Sequence, residues 1–266
     1  MPLTKSDLLL SGTVERLEFF GFKLSPGGAH ISRTMMLQEV TLLLSAVPPK
    51  SSAQEYRKAV LDENVTRKAT VTTRAKTFRH LRELYGLSET IPLFAIYREL
   101  VTFDPSSATL LSFLVAWTRD PLLRGTTPAI LGATFGSDVS GEQIQRALQE
   151  SFPHQYSALN IGKVSRNAAS SWTQSGHLTG RAKKMRQRVQ PGPAAVALSL
   201  LLGHVKGLRG EQLLSSIWCR LLDLNTTEVR SLAAQAHRED LLTMRAVGSV
   251  VEVDFPRFNQ FLEGFR

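Results

Sequence analysis

Apolar residues recur at helical spacing along most of this chain, and that periodicity confines it to a mainly helical fold. In Arg33–Val47 the positions Met36, Leu37, Val40, Leu43 and Leu44 follow the i, i+3, i+4 rhythm of an amphipathic helix, which Pro48-Pro49 stops. Ser52–Asn64 and Thr72–Tyr85 predict two more helices, the second ended by Gly86. Leu93–Phe103 and Ser106–Trp117 follow, divided by Asp104-Pro105, and the second is apolar on most faces, which predicts a place at the centre of the core. Further helices are expected at Glu142–Phe152, in the segment ending near Trp172–Ser175, and at Ala194–Val205, Glu211–Leu222 and Thr227–Arg238. In Leu241–Phe255 an alternating run and a β-branched run flank Gly248-Ser249, the pattern of a hairpin. The expected fold is mainly α, a helical bundle with winged helix-turn-helix elements and one or two small β-hairpins. The Gly- and Pro-rich stretch Asp120–Gly141 is the expected boundary between an N-terminal helical domain over 1–125, with a helix-turn-helix-like unit, and a winged-helix-like helical domain over 126–266.

Hydrophobic residues make up 42% of the 266 and charged residues 21%, too apolar a balance for a disordered chain. Cys219 is the single cysteine, so neither an internal disulfide nor a cysteine-built zinc site is available. The longest uncharged, largely apolar run, Pro193–Val205, contains His204 and falls short of the ~20 residues that cross a bilayer. The opening MPLTKSDLLLSG has no apolar stretch of signal-peptide length. A cytoplasmic protein without membrane attachment is expected.

The net charge of +9 is unevenly spread. Between Ile161 and Gln190 stand Lys163, Arg166, Arg181, Lys183, Lys184, Arg186 and Arg188, with no acidic residue. Between Asn64 and Arg82 stand Arg67, Lys68, Arg74, Lys76, Arg79 and Arg82, again with no acid. A merely solvated helix face mixes signs, because unlike charges at i, i+4 support a helix and like charges there oppose it. Both clusters carry the polar side chains that nucleic-acid contact uses. In the second, Asn167, Ser171 and Gln174 share a helix with Trp172, the expected apolar anchor, and His177–Val189 has the length of a wing turning at Gly180. In the first, a helix, a turn and a helix from Thr72 form a helix-turn-helix candidate. There Thr72 and Thr73 stand at the helix start, Arg74, Lys76 and Arg79 point outward, and Phe78, Leu81 and Leu84 face inward. Glu211–Leu222, Thr227–Arg238 and the 241–255 hairpin repeat the helix–helix–hairpin order with mixed charge, which favours protein contact or internal packing.

Leu10-Ser11-Gly12 and the run DENVTRKATVTTRAKTFRHLRELYGL at 62–87 carry a further signal. Glu63, Asn64, Lys68, Thr70, Thr73, Arg74, Arg79, Leu81 and Leu84 make up a pattern by which the chain resembles the BrxA family, accessory proteins of bacterial BREX phage-defence systems. The resemblance extends through the segments up to residue 190 and covers 191–266 least. It implies a helical protein with winged-helix elements that binds double-stranded DNA without catalysis of its own, beside other proteins of the defence system.

No P-loop, H-E-x-x-H or G-x-S-x-G motif is present. The six histidines are scattered; His80 and His177 fall within the basic clusters, where DNA contact or surface exposure is the expected role. No catalytic residue, metal site or cofactor is expected. The function expected is that of a non-catalytic, double-stranded-DNA-binding accessory protein of a BREX-like system, working through phosphate neutralisation. The alternatives are an RNA-binding helical module, a protein–protein adaptor within a defence complex, and a nuclease whose core the spacing conceals.

Overall fold

The computed structural model describes residues 14–247, 250–263 and 265. The Leu10-Ser11-Gly12 element and the Gly248-Ser249 turn lie outside the described residues. The chain is mainly helical with two small antiparallel hairpins. Helices α1 (Val14–Phe20), α2 (Leu37–Ala46), α3 (Ala53–Leu61), α4 (Val71–Tyr85), α5 (Pro92–Phe103) and α6 (Ala108–Arg119) build the first half. Short helices α7 (Pro121–Gly125) and α8 (Thr127–Leu131) lead into α9 (Gly141–Ser151), α10 (Ala158–Gln174) and the hairpin of β1 (Leu178–Thr179) and β2 (Met185–Arg186). Then come α11 (Pro193–Val205), α12 (Gly210–Leu214), α13 (Ile217–Arg220), α14 (Thr226–Arg238), the hairpin of β3 (Thr243–Val247) and β4 (Val250–Asp254), and α15 (Asn259–Leu262).

Local chemistry sets these boundaries. Capping boxes at Ser52/Glu55, Ser140/Gln143 and Asn225/Glu228 start α3, α9 and α14. The helix expected from Arg33 starts at Leu37, because Met36 sits in the left-handed region at φ 55°. The helix expected over Glu211–Leu222 is broken in two, because the Ser216 hydroxyl accepts from the Cys219 N–H and so begins a new helix.

Two helices fill the centre. Leu110–Thr118 of α6 is a continuous buried run, and in α11 every residue from Ala194 to Val205 except His204 is buried. In the stretch expected as a boundary, Asp120–Ile130 is largely buried in the core, while 132–141 is mostly at the surface. All three tryptophans donate their indole N–H to threonines in or beside it: Trp117 to Thr127 Oγ1 at 2.9 Å, Trp172 to Thr126 Oγ1 at 2.8 Å and Trp218 to Thr118 Oγ1 at 3.2 Å. A large ring that buries its one polar atom on a partner contributes apolar area without an unpaired donor. One hydrophobic cluster therefore spans both 1–125 and 126–266. Among the described residues no helix is long and apolar enough to cross a membrane.

Candidate nucleic-acid interface

Helix α10 begins where the Ser157 hydroxyl accepts from the Asn160 N–H, and its Ile161, Val164, Ala168 and Trp172 stripe is buried. Leu159, Lys163 and Arg166 lie on the opposite, exposed side, with Ser170 half-buried beyond them. Neither Lys163 nor Arg166 meets a carboxylate among the described residues. Behind the helix, Leu178 pairs with Arg186 and Thr179 with Met185. Gly180 turns the hairpin at φ +91°, where a Cβ would lie 2.1 Å from the Lys183 carbonyl oxygen, so only glycine fits. Residues 136–139 form a third edge: the Gly136 N–H donates to Arg186 O, the Arg186 N–H to Ser137 O and the Val139 N–H to Lys184 O. The resulting order is edge, helix, helix, hairpin. At the hairpin tip Arg181 and Lys183 are exposed, and the half-exposed Lys184 reaches back to Gly180 O at 2.7 Å.

Several expected contact residues face inward instead. Arg186 is 2% exposed. Its guanidinium forks onto the Asp223 carboxylate, its Nε donates to Ile130 O at 3.0 Å, and Phe135 covers it at 4.9 Å. Arg186 is thus an internal tie of the hairpin and is withdrawn from the interface. Arg188 pairs with Glu228 and reaches Asp223 O, so its charge is largely neutralised by α14 and the turn before it. Ser171 is fully buried, accepting from the Met35 N–H at 2.8 Å. The half-buried Asn167 donates to His30 O at 2.9 Å, and Gln174 accepts from the Leu37 N–H at 3.1 Å. These three hold α10 against 30–37, so base readout by them is withdrawn as well.

In the first cluster, Thr70 caps α4 by accepting from the Thr73 N–H. Leu81 and Leu84 are buried and Phe78 half-buried. Arg67, Thr72, Lys76, Arg79 and Arg82 are exposed. Lys68 is paired with Glu39 at 2.7 Å, and Arg74 is bent back onto Leu61 O at 3.0 Å, so neither is a free cation on this face. The connection 62–70 is longer than the 3–4-residue turn of a tight helix-turn-helix.

The histidines of both clusters are buried, contrary to the surface role expected of them. His177 packs on Phe113 and Trp172, donates from Nε2 to Leu221 O at 2.7 Å and accepts at Nδ1 from Ser175 Oγ, and burial pulls its pKa down to about 4. Burial, with Arg79 and Arg33 nearby, likewise lowers His80.

The segment from the 3-10 helix Ala29–Ile31 to the start of α2 joins the clusters. Asn167 of α10 binds its residue 30, while Ser32 Oγ lies 3.4 Å from His80 Nε2 of α4. Arg33 therefore stands between the two basic helices, a cation that counting within the two windows did not reach. Underneath runs a buried chain, Asp120–His30–Ser171, with contacts of 2.8 Å at Nδ1 and 2.7 Å at Nε2. Asp120 also accepts from the N–H groups of His30, Leu122 and Leu123, and a Cβ on Gly28 would collide with it at 2.2 Å. Burial pushes the Asp120 carboxyl up, but His30 and these N–H donors outweigh it and hold the carboxyl below its ordinary range. The sequence of groups is that of a nucleophile relay. With all three side chains enclosed and Ser171 Oγ already accepting from Met35, the relay serves as a tie between α10, α7 and the 28–35 segment.

Among the described residues no group of three His, Cys, Asp or Glu side chains forms a metal site. Neither a protein-family model nor a curated protein matches the chain.

Proposed function

We propose that this protein binds double-stranded DNA through a winged element made by residues 136–139, α9, α10 and the β1–β2 hairpin, with α4 as a second contact. The observation that carries the reading is the outer face of α10, where Lys163 and Arg166 are exposed and meet no carboxylate among the described residues, with Arg181, Lys183 and Lys184 at the tip of the hairpin that follows the helix. In a winged helix the N-terminal part of the second helix meets base edges while flanking cations hold phosphates. Leu159, exposed in the first turn of α10, then has the size and position to touch a thymine methyl group. The remaining cations, Arg67, Lys76 and Arg79 with Arg33, extend the phosphate track from α10 toward α4.

On this reading the protein is a non-catalytic cytoplasmic accessory factor of bacterial phage defence, of the BREX type that its 62–87 pattern resembles, acting beside other defence proteins. Fluorescence anisotropy of a labelled duplex at several salt concentrations tests it. With six to eight phosphate contacts, log K falls against log salt with a slope of roughly −5 to −7. A flat salt dependence, or tighter binding of structured RNA than of duplex DNA, overturns it.

A further inference from the structure

A cavity of about 890 Å³ opens between the first turn of α3, the C-terminal half of α4 and the turn that enters α5. Its floor is an internal network: Lys23 Nζ donates to Glu83 Oε1 at 2.7 Å, and Arg119 is held by Glu83 O at 3.1 Å and Gly21 O at 2.6 Å. Burial pulls Arg119 down to about 10, which still leaves it cationic at neutral pH. Among the described residues Glu83 is the one carboxylate lining the space, and Lys23 already occupies it.

The rim is different. Arg57, Arg79 and Arg82 border the opening, and all three are exposed. Arg57 meets no hydrogen-bond or ion-pair partner among the described residues. Arg79 reaches only the His80 ring at 3.3 Å, and Arg82 rests over the Phe78 ring at 6.0 Å. Three guanidinium forks with donors to spare therefore ring one concave space. Such forks match the geometry of a phosphate group and stay charged at any working pH. One wall is apolar, formed by Phe78 with Leu87 and Ile91. The volume lies within the range of sites for whole small ligands and far exceeds what a bare anion fills.

We propose that this cavity binds a nucleoside phosphate, with the phosphate on Arg57, Arg79 and Arg82 and the base against Phe78. The inference goes beyond duplex binding, since it needs neither α10 nor the β1–β2 hairpin and shares with that reading only Arg79 of α4. The nucleotide is supplied either free in solution or as an unpaired terminal residue of a DNA strand.

Calorimetric titration of the full chain at low salt, with AMP, adenosine and inorganic phosphate as probes, tests it. AMP is expected to saturate, with adenosine and phosphate each weaker by about tenfold or more. Arg57→Glu lowers AMP affinity by about tenfold or more, and Phe78→Leu lowers it with phosphate binding unchanged. A duplex with a one-nucleotide overhang that competes with AMP better than a blunt duplex assigns the strand-end source; equal competition assigns the free nucleotide. The inference is overturned if AMP does not saturate, if both variants leave its affinity unchanged, or if phosphate alone binds as tightly. Lys163→Glu with Arg166→Glu keeps AMP binding while weakening the duplex, so failure of one reading is distinguishable from failure of the other.

Discussion

Two regions of the molecule follow the same order of elements and handle charge in opposite ways. In the middle, α9, α10 and the β1–β2 hairpin leave Lys163, Arg166, Arg181 and Lys183 exposed and without an ion-pair partner among the described residues. Nearer the C-terminus, the pair α12/α13, then α14 and the β3–β4 hairpin, carries its own acids: Arg230 is paired with Glu211, Arg238 is followed by Glu239 and Asp240, and Glu252 and Asp254 lie on the hairpin. The C-terminal region also lends carboxylates to its counterpart, Asp223 to Arg186 and Glu228 to Arg188. Helix, helix and hairpin make a scaffold. The placement of counter-charges decides which region keeps exposed cations without an ion-pair partner among the described residues.

The contrast breaks most visibly at the seam between the two. Asp223→Ala leaves the Arg186 guanidinium buried without its counter-ion and is expected to cost about 3–5 kcal/mol in urea denaturation. Pairing it with Arg186→Met returns most of that loss, since no charge is then stranded. A milder probe is acid. His177, buried in the middle unit, has a folded pKa of about 4 against an ordinary 6.5, so the unfolded chain binds its proton first. Its contribution is present above pH 6.5 and is lost as pH falls toward 4, on the order of 3 kcal/mol, with Asp120 adding to the loss at the lowest pH. Thermal melts between pH 7 and 4.5 show the decline, and His177→Gln makes it shallower.

Binding sharpens the comparison further. Lys163→Glu with Arg166→Glu is expected to weaken duplex binding at least about tenfold, near 1.4 kcal/mol, and to reduce the salt slope by about 0.9 per contact. The matching reversals on α14, Arg230→Glu and Arg238→Glu, leave affinity within about twofold, because those charges already have acids beside them. The smallest effect is on stability at the same place: Arg230→Ala costs under about 1 kcal/mol, as expected of a largely exposed pair.

What could be read from residues alone follows distance along the chain. The helix expected over Thr72–Tyr85 is observed over Val71–Tyr85, and that expected over Leu93–Phe103 over Pro92–Phe103, because caps and i, i+4 patterns are local. The hairpin at 241–255 was visible in its β-branched run for the same reason. The candidate interface was legible only in part. Counting acids within a window missed Asp223 and Glu228, which reach Arg186 and Arg188 from 37 and 40 residues away. Ser171, Asn167 and Gln174 have the chemistry of base readers and are spent on a segment more than 130 residues earlier. No sequence signal announced that partner. Arg33 was within reach of charge counting, but it stands alone between Ser32 and Thr34 and became meaningful only when folding set it beside His80.

The Asp120–His30–Ser171 tie also bears on the order in which the chain assembles. His30 and Ser171 are 141 residues apart, so on a ribosome the first leaves the exit tunnel long before the second is made. Contacts of such long range close slowly, after local helices have formed. The nascent N-terminal half therefore stands with the His30 ring lacking its Ser171 partner until α10 has been made.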